Sequence, residues 1–222
     1  FLRLWSEIPN EAIVSVHNVD LEVDIQRTIL ERTEVAQWAW YSKVHEASPF
    51  AASIHLLVNW QGIGREIKAA HEMKGDSPSR YVRSETEYFR PGISYLLRST
   101  RLIPYVVPRG VIPTAGRSQI YPRDGIEDWV LALVCSNFGS ATTRFRGEKF
   151  EYPVFQNSMV GSIPFTLPSS EDIVTLTNTL IQAIETQRLD FSRSEVLIEF
   201  AWVSKPPEQS SKRHIATRYS LL

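Results

Sequence analysis

Residues 87–121 read "EYFRPGISYLLRSTRLIPYVVPRGVIPTAGRSQIY", a series of short apolar runs broken repeatedly by proline or glycine. Proline presets φ at roughly −65° and glycine admits positive φ, so each break marks a turn and each run a strand. Short β runs with regular turn signals predict a compact, mainly antiparallel sheet, with strands in "ISYLLRS", "LIPYVVP", "GVIPTA" and "SQIY". An arginine stands close to many of the breaks. Arg90 precedes Pro91-Gly92, Arg109 lies between Pro108 and Gly110, and Arg117 follows Gly116, while Arg98, Arg101 and Arg123 accompany them. Turn formation accounts for the breakers and leaves the arginines unexplained.

Charge along the chain sharpens the question. The 222 residues carry a net charge of −1, but unevenly. Residues 1–60 hold four Lys and Arg against eight Asp and Glu, whereas residues 61–124 hold eleven against six. Nine of those eleven cations are arginine, whose planar fork suits phosphates and guanine edges. A basic excess confined to the turn-rich segment points to an anionic partner for that segment.

Outward from this stretch, the pattern changes. Residues 65–71, "REIKAAH", and 81–89, "YVRSETEYF", read as further short strands. "VDLEVDI" at 19–25 alternates with period two and predicts a half-buried strand showing Asp20, Glu22 and Asp24 to water. "EVAQWAWYS" at 34–42 reads as a strand or buried turn, and "SPFAASIHLLVNW" predicts a short helix near 49–58 from its Ser-Pro start. "GIEDWVLALVCSNF" at 125–138 predicts a buried helix with Asp124 as N-cap and Ser136-Asn137 as its stop. A Gly/Ser/Thr/Arg loop and a broken β segment at 150–168 follow. From 169 to 187, apolar residues at Ile173, Leu176, Leu180, Ile181 and Ile184 have helical spacing behind a Ser-Ser-Glu-Asp head, which predicts an amphipathic helix of about five turns. The last thirty residues read as a second helix and a polar tail.

These elements predict an α+β fold: a short-stranded, mainly antiparallel sheet module with packed helices and a helical C-terminal tail. The boundaries fall at an acidic N-terminal strand/helix segment, 1–60, packed on a central module, 61–168, followed by a helical spacer and polar tail, 169–222. With 43% hydrophobic residues the chain can bury a core, and no run approaches the ~18 apolar residues of a membrane span. The first twenty residues lack the order of a signal peptide. Cys135 is alone in an apolar run, which fits a buried small hydrophobe and a reducing cytoplasm. The chain opens on Phe1 and reads as an excerpt of a longer protein.

Catalytic templates are missing. No P-loop, G-x-S-x-G or H-E-x-x-H occurs, and His17, His45, His55, His71 and His214 are scattered without ligand spacing. "GIGRE" at 62–66 lacks the third glycine and the Lys-Ser/Thr ending of a phosphate loop. Asp20, Glu22 and Asp24 have no histidine or further carboxylate at metal-ligand spacing.

"YFRPGISY" (88–95) followed by "VPRGVIPTAGRSQIYP" (107–122), then "WVLALVCSNF" (129–138) and "FEYPVFQNSMVGSIPF" (150–165), resembles the target-recognition region of large bacterial adenine-specific DNA methyltransferases. The family is that of the PglX-like enzymes of BREX phage defence and related single-chain restriction-modification methylases. The likeness covers roughly residues 64–200 in order. It departs at Pro113, Tyr121, Pro153 and Phe155, and the first sixty residues carry little of it. The resemblance implies that 61–168 is a target-recognition module for double-stranded DNA, working beside a catalytic methyltransferase domain of the same parent chain. It also implies S-adenosylmethionine in that parent. Neither the family's F-x-G-x-G nor its (N/D)-P-P-(Y/F) stands in these residues, so no cofactor and no catalytic residue is expected here. Arg90, Arg98, Arg101, Arg109, Arg117 and Arg123 are the candidate DNA contacts. The rival reading is a protein-interaction module that docks a partner subunit or inhibitor.

Overall fold

The computed structural model describes residues 1–14, 37–43, 49–114, 116–123, 125–147 and 153–191. The quoted stretch forms its central sheet. Strands β4 (Gly92–Leu96), β5 (Pro104–Val107) and β7 (Arg117–Ile120) pair antiparallel in the order β5-β4-β7, with Ser94 opposite Tyr105 on one side and Gln119 on the other. Pro104 opens an edge strand, where its missing N–H breaks no ladder bond. β6 (Val111–Ile112) joins a second sheet instead, of order β1-β3-β2-β6, with β1 Leu2–Leu4, β2 Trp38–Tyr41 and β3 Leu56–Asn59. It lies parallel to β2, Trp40 opposite Val111, so the central stretch completes a sheet begun by the first sixty residues.

Period-two alternation distributes the side chains of β5 between two cores, Val106 on one face and Tyr105 and Val107 on the other. Ile93 and Tyr95, with Val106 and Ile120, pack against Leu131 and Val134 of α2 (Glu127–Cys135) and Leu180 and Ile184 of α5 (Ser170–Phe191). On the opposite face, Tyr105 and Val107 meet Val111, Ile54 and Trp40 between the two sheets. Beyond the second sheet, Ala39, Val58 and Ile112 pack on Trp60, Tyr88 and Phe89. The layers therefore run helices, sheet, sheet, then α1 (Gln61–Glu72), whose Ile63 and Ile67 face the last core. This is an α+β architecture. No helix among the described residues is long and apolar enough to cross a membrane.

Several sequence expectations need correction. Residues 49–58 form no helix: Phe50 takes φ +74° and bonds β5 through Phe50 N–H to Pro104 O (2.9 Å) and Val106 N–H to Phe50 O (3.1 Å). Leu57 and Val58 are then buried on the two faces of β3. "REIKAAH" is helical, with its Ile67, and Ile63 of the left-handed turn ahead of it, packed on the core around Trp60. "YVRSETEYF" holds a single 3₁₀ turn, Glu85–Glu87, with Ser84 at φ +54° before it. Of the segment 150–168, the described residues 153–168 contribute one bridge, Val154 with Arg98, and then the short helix α4 (Asn157–Val160). The strand expected at 19–25, the Asp124 cap and the terminal tail lie outside the described residues.

The expected loop after Ser136 is helix α3 (Asn137–Arg146). Ser136 ends α2 and caps α3, its Oγ accepting the Gly139 N–H at 3.0 Å. Gly139 is what lets α3 approach α2, since a Cβ there would lie 2.4 Å from the Leu133 carbonyl oxygen. Alanine is the better helix former by about 1 kcal/mol, but a clash with backbone cannot be relieved by a rotamer change and costs about 1–3 kcal/mol. Gly139→Ala is therefore expected to lower stability by about 1 kcal/mol net, read as a denaturant midpoint; a stabilised variant would mean that the helices separate freely.

Candidate nucleic-acid interface

Phe89 sets the geometry of the site. It is fully buried at φ +69°, an unusual backbone conformation for a bulky residue. It is held by reciprocal bonds, Phe89 N–H to Val111 O (3.1 Å) and Gly110 N–H to Phe89 O (3.0 Å). Packing on both sides of the bend over-determines this strained conformation, which turns Arg90 outward beside Pro91-Gly92. Gly92 then allows the next contact. A Cβ there would meet the Ile120 carbonyl oxygen at 2.9 Å and the Tyr121 ring at 3.1 Å, so the absent side chain gives Tyr121 its seat.

Arg90 lies over that ring, its Cζ 5.1 Å from the centroid, and its Nη1 pairs with the Glu87 carboxylate. The Tyr121 hydroxyl donates to Glu87 O at 3.3 Å. Around this seat opens a cleft of about 310 Å³ lined by Arg83, Thr114, Arg117, Gln119, Tyr121 and Asn157, among others. Arg117 and Gln119 share a face of β7 by the two-residue period. Gln119 Nε2 donates to Ser94 Oγ at 2.9 Å, and the Arg117 guanidinium reaches across to Tyr105, 5.8 Å from its centroid. Asn157 is oriented by Tyr95, whose hydroxyl donates to Oδ1 at 2.8 Å, and Thr114 Oγ1 accepts from Tyr41 at 2.9 Å. The cleft thus combines charged forks, amides and a hydroxyl on strand ends and turns, held from beneath by a hydrogen-bonded sheet. Such a set can bind phosphate oxygens and base edges.

Of the six sequence-predicted arginines, Arg117 lines this cleft, and Arg90 stands beside it over Tyr121, paired with Glu87 of the lining. Arg98 and Arg101 are exposed on the β4–β5 turn, near α3. Arg109 is half-buried in the β5–β6 turn, and Arg123 is exposed where its carbonyl accepts from Ile126 N–H ahead of α2. Glu85 is bound by Lys68 at 2.8 Å and Glu87 by Arg90, so the carboxylates of this segment serve its own cations. Arg83, Thr114, Gln119, Tyr121 and Asn157 were missed as site residues. The period of β7 alone would have placed Gln119 beside Arg117; the others are brought in by tertiary packing.

Burial governs the titration of the aromatic frame. It pushes the Tyr121 phenol up to about 12, with Glu87 adding to the rise and Arg90 opposing it. Burial likewise raises Tyr88, Tyr95 and Tyr105. A raised phenol favours the folded state fully below its unfolded value of about 10, and that contribution is lost as pH climbs through the folded value. Stability is expected to hold to about pH 9 and to fall between about 10 and 12, with phenolate absorbance rising together with loss of tertiary signal. Ionisation of every tyrosine near pH 10 in a still-folded chain would contradict this. Cys135 follows the same physics: burial pushes its thiol up to about 12 and its Sγ–H donates to Pro104 O, so it is a packed side chain rather than a nucleophile.

Among the described residues no group of histidine, cysteine and carboxylate side chains could hold a metal ion. No family model matches the chain, and no curated protein is similar to it.

Proposed function

We propose that this chain recognises double-stranded DNA in a sequence-specific way, as the target-recognition part of an adenine-specific DNA methyltransferase of phage defence or restriction-modification. The observation that carries the reading is the convergence of Arg83 and Arg117 with Gln119, Asn157 and Tyr121 on one open cleft at the strand ends of the arginine-rich stretch, with Arg90 seated beside it over the Tyr121 ring. Arginine forks and amides are the side chains that read guanine and adenine edges in the major groove, and the cleft offers both within one strand, Arg117 and Gln119. The family resemblance supports the same function for the same residues. On this reading the S-adenosylmethionine site and the extruded-base pocket belong to a catalytic domain of the parent chain, and the protein works in the cytoplasm, where DNA is available.

Selection from a random duplex pool tests the proposal. The purified chain is expected to enrich one short motif over several rounds. Retention of duplexes without enrichment of any motif would reduce the role to non-specific binding, and no retention at low salt would favour the rival protein-docking module.

A further inference from the structure

Helix α3 is inverted relative to an ordinary surface helix. Its inward face carries Gly139 and Thr143, both buried, and the Thr143 hydroxyl is spent on the Gly139 carbonyl at 2.9 Å. Its outward face carries Phe138, Ala141 and Phe145, whose i, i+3, i+7 spacing forms an apolar stripe pointing to solvent. Phe145 is 92% exposed and Phe138 54%. Such a stripe marks a contact surface when it is built on an anchored element. α3 is anchored: Ser136 caps it, Ser140 Oγ accepts the Leu102 N–H at 3.3 Å, and Arg144 Nη1 donates to Thr100 O at 2.9 Å.

The charges around the stripe say what it fits. Arg144 and Arg146 flank Phe145, and Arg101 stands on the turn tied to the helix. Neither α3 nor the 97–102 turn contains a carboxylate. The occupant is therefore anionic. It also presents flat apolar faces, because two aromatic plates about 10 Å apart along the helix, with only a methyl group between them, make separate platforms rather than the continuous ridge that seats a peptide helix. Aromatic plates interleaved with arginines are the stacking platforms of single-strand binding.

We infer that α3 and the 97–102 turn form a second DNA contact, distinct from the cleft, which takes an unpaired or unstacked stretch of strand. Phe138 and Phe145 stack on bases while Arg101, Arg144 and Arg146 meet phosphates. The inference rests on the DNA reading above and deepens it: Arg98 and Arg101, which do not join the cleft, lie beside this second surface.

Three fluorescent probes separate the two surfaces in anisotropy titrations of the full chain: a perfect duplex, the same duplex with a thymidine bulge, and oligothymidylate. The wild-type chain is expected to prefer the bulged duplex. Phe145→Ala should lose about tenfold on the bulged duplex and oligothymidylate with little change on the perfect duplex, and Phe145→Trp should restore it. Arg117→Ala should weaken the perfect duplex and keep the bulge preference. Because Phe145 is exposed, its alanine variant should melt as the wild type does; if it does not, Phe138→Ala supplies the same comparison. The inference is overturned if the wild type shows no bulge preference, if both phenylalanine variants keep it, or if polyglutamate competes with oligothymidylate charge for charge. Absence of perfect-duplex binding alone would instead remove the sequence-recognition reading and leave the α3 surface standing.

Discussion

Leu180→Ala is expected to lower the unfolding free energy by about 2–5 kcal/mol and to leave DNA preference unchanged. Leu180 is 3% exposed and sits in the core formed by the central sheet, α2 and α5. Removing its isobutyl group costs the transfer free energy and leaves a cavity among Leu131, Ile163 and Ile184 that rigid strands and helices cannot fully close. α5 is fixed on α2 by polar contact as well, Thr177 Oγ1 donating to the buried Asp128 Oδ2 at 2.6 Å. Its start is capped, with the Asp172 N–H donating to Ser169 Oγ at 3.2 Å, and Glu171 and Asp172 there would repel phosphates. The helix is thus scaffold. A shifted midpoint in denaturant with an unchanged selected motif checks this; an altered motif at unchanged stability would place α5 in the interface.

Arg117→Ala is expected to lose about 1–3 kcal/mol of discrimination at one base pair and to relax the selected motif there. Arg117 is half-buried, stands on a strand rather than a loop, and is braced over Tyr105 between the sheets, which pre-orients its fork. Arg117→Lys separates its two possible roles. Lysine restores a charge but not a bidentate fork, so a base reader stays relaxed in the lysine variant while a phosphate contact largely recovers. An unchanged motif in both variants would remove Arg117 from base recognition.

Fold and site were legible to different degrees, for reasons that lie in particular residues. β4, β5, β6 and β7 could be read because Pro91-Gly92, Pro104, Pro108, Gly110, Pro113 and Gly116 break the stretch into short runs, most of them rich in β-branched and aromatic residues. α5 could be read because Ile173, Leu176, Leu180 and Ile184 keep the 3.6-residue period. α1 was hidden by Gly62, Ile63 and Gly64, three successive positive-φ residues at its start, and α3 by its glycine- and threonine-lined inner face. Residues 49–58 carry helix formers but are captured by pairing with β5 and by two neighbouring strands, a tertiary override of local propensity. The same division holds for the site. Arg90 and Arg117 announced themselves through the turns beside them, whereas Arg83 enters the cleft from the irregular segment just before the stretch and Asn157 from one far along the chain, through contacts that no local pattern encodes.

The binding constant of the chain for its selected duplex, measured against salt concentration, tests DNA recognition most directly. Arginines that neutralise phosphates release counterions, so log K should fall linearly with log salt, by about 0.9 per phosphate contacted. The slope should become shallower by about one unit in a variant that loses a phosphate contact. Wild-type affinity that is flat across the same salt range, with Arg83→Ala, Arg90→Ala and Arg117→Ala all binding as the wild type does, would contradict it.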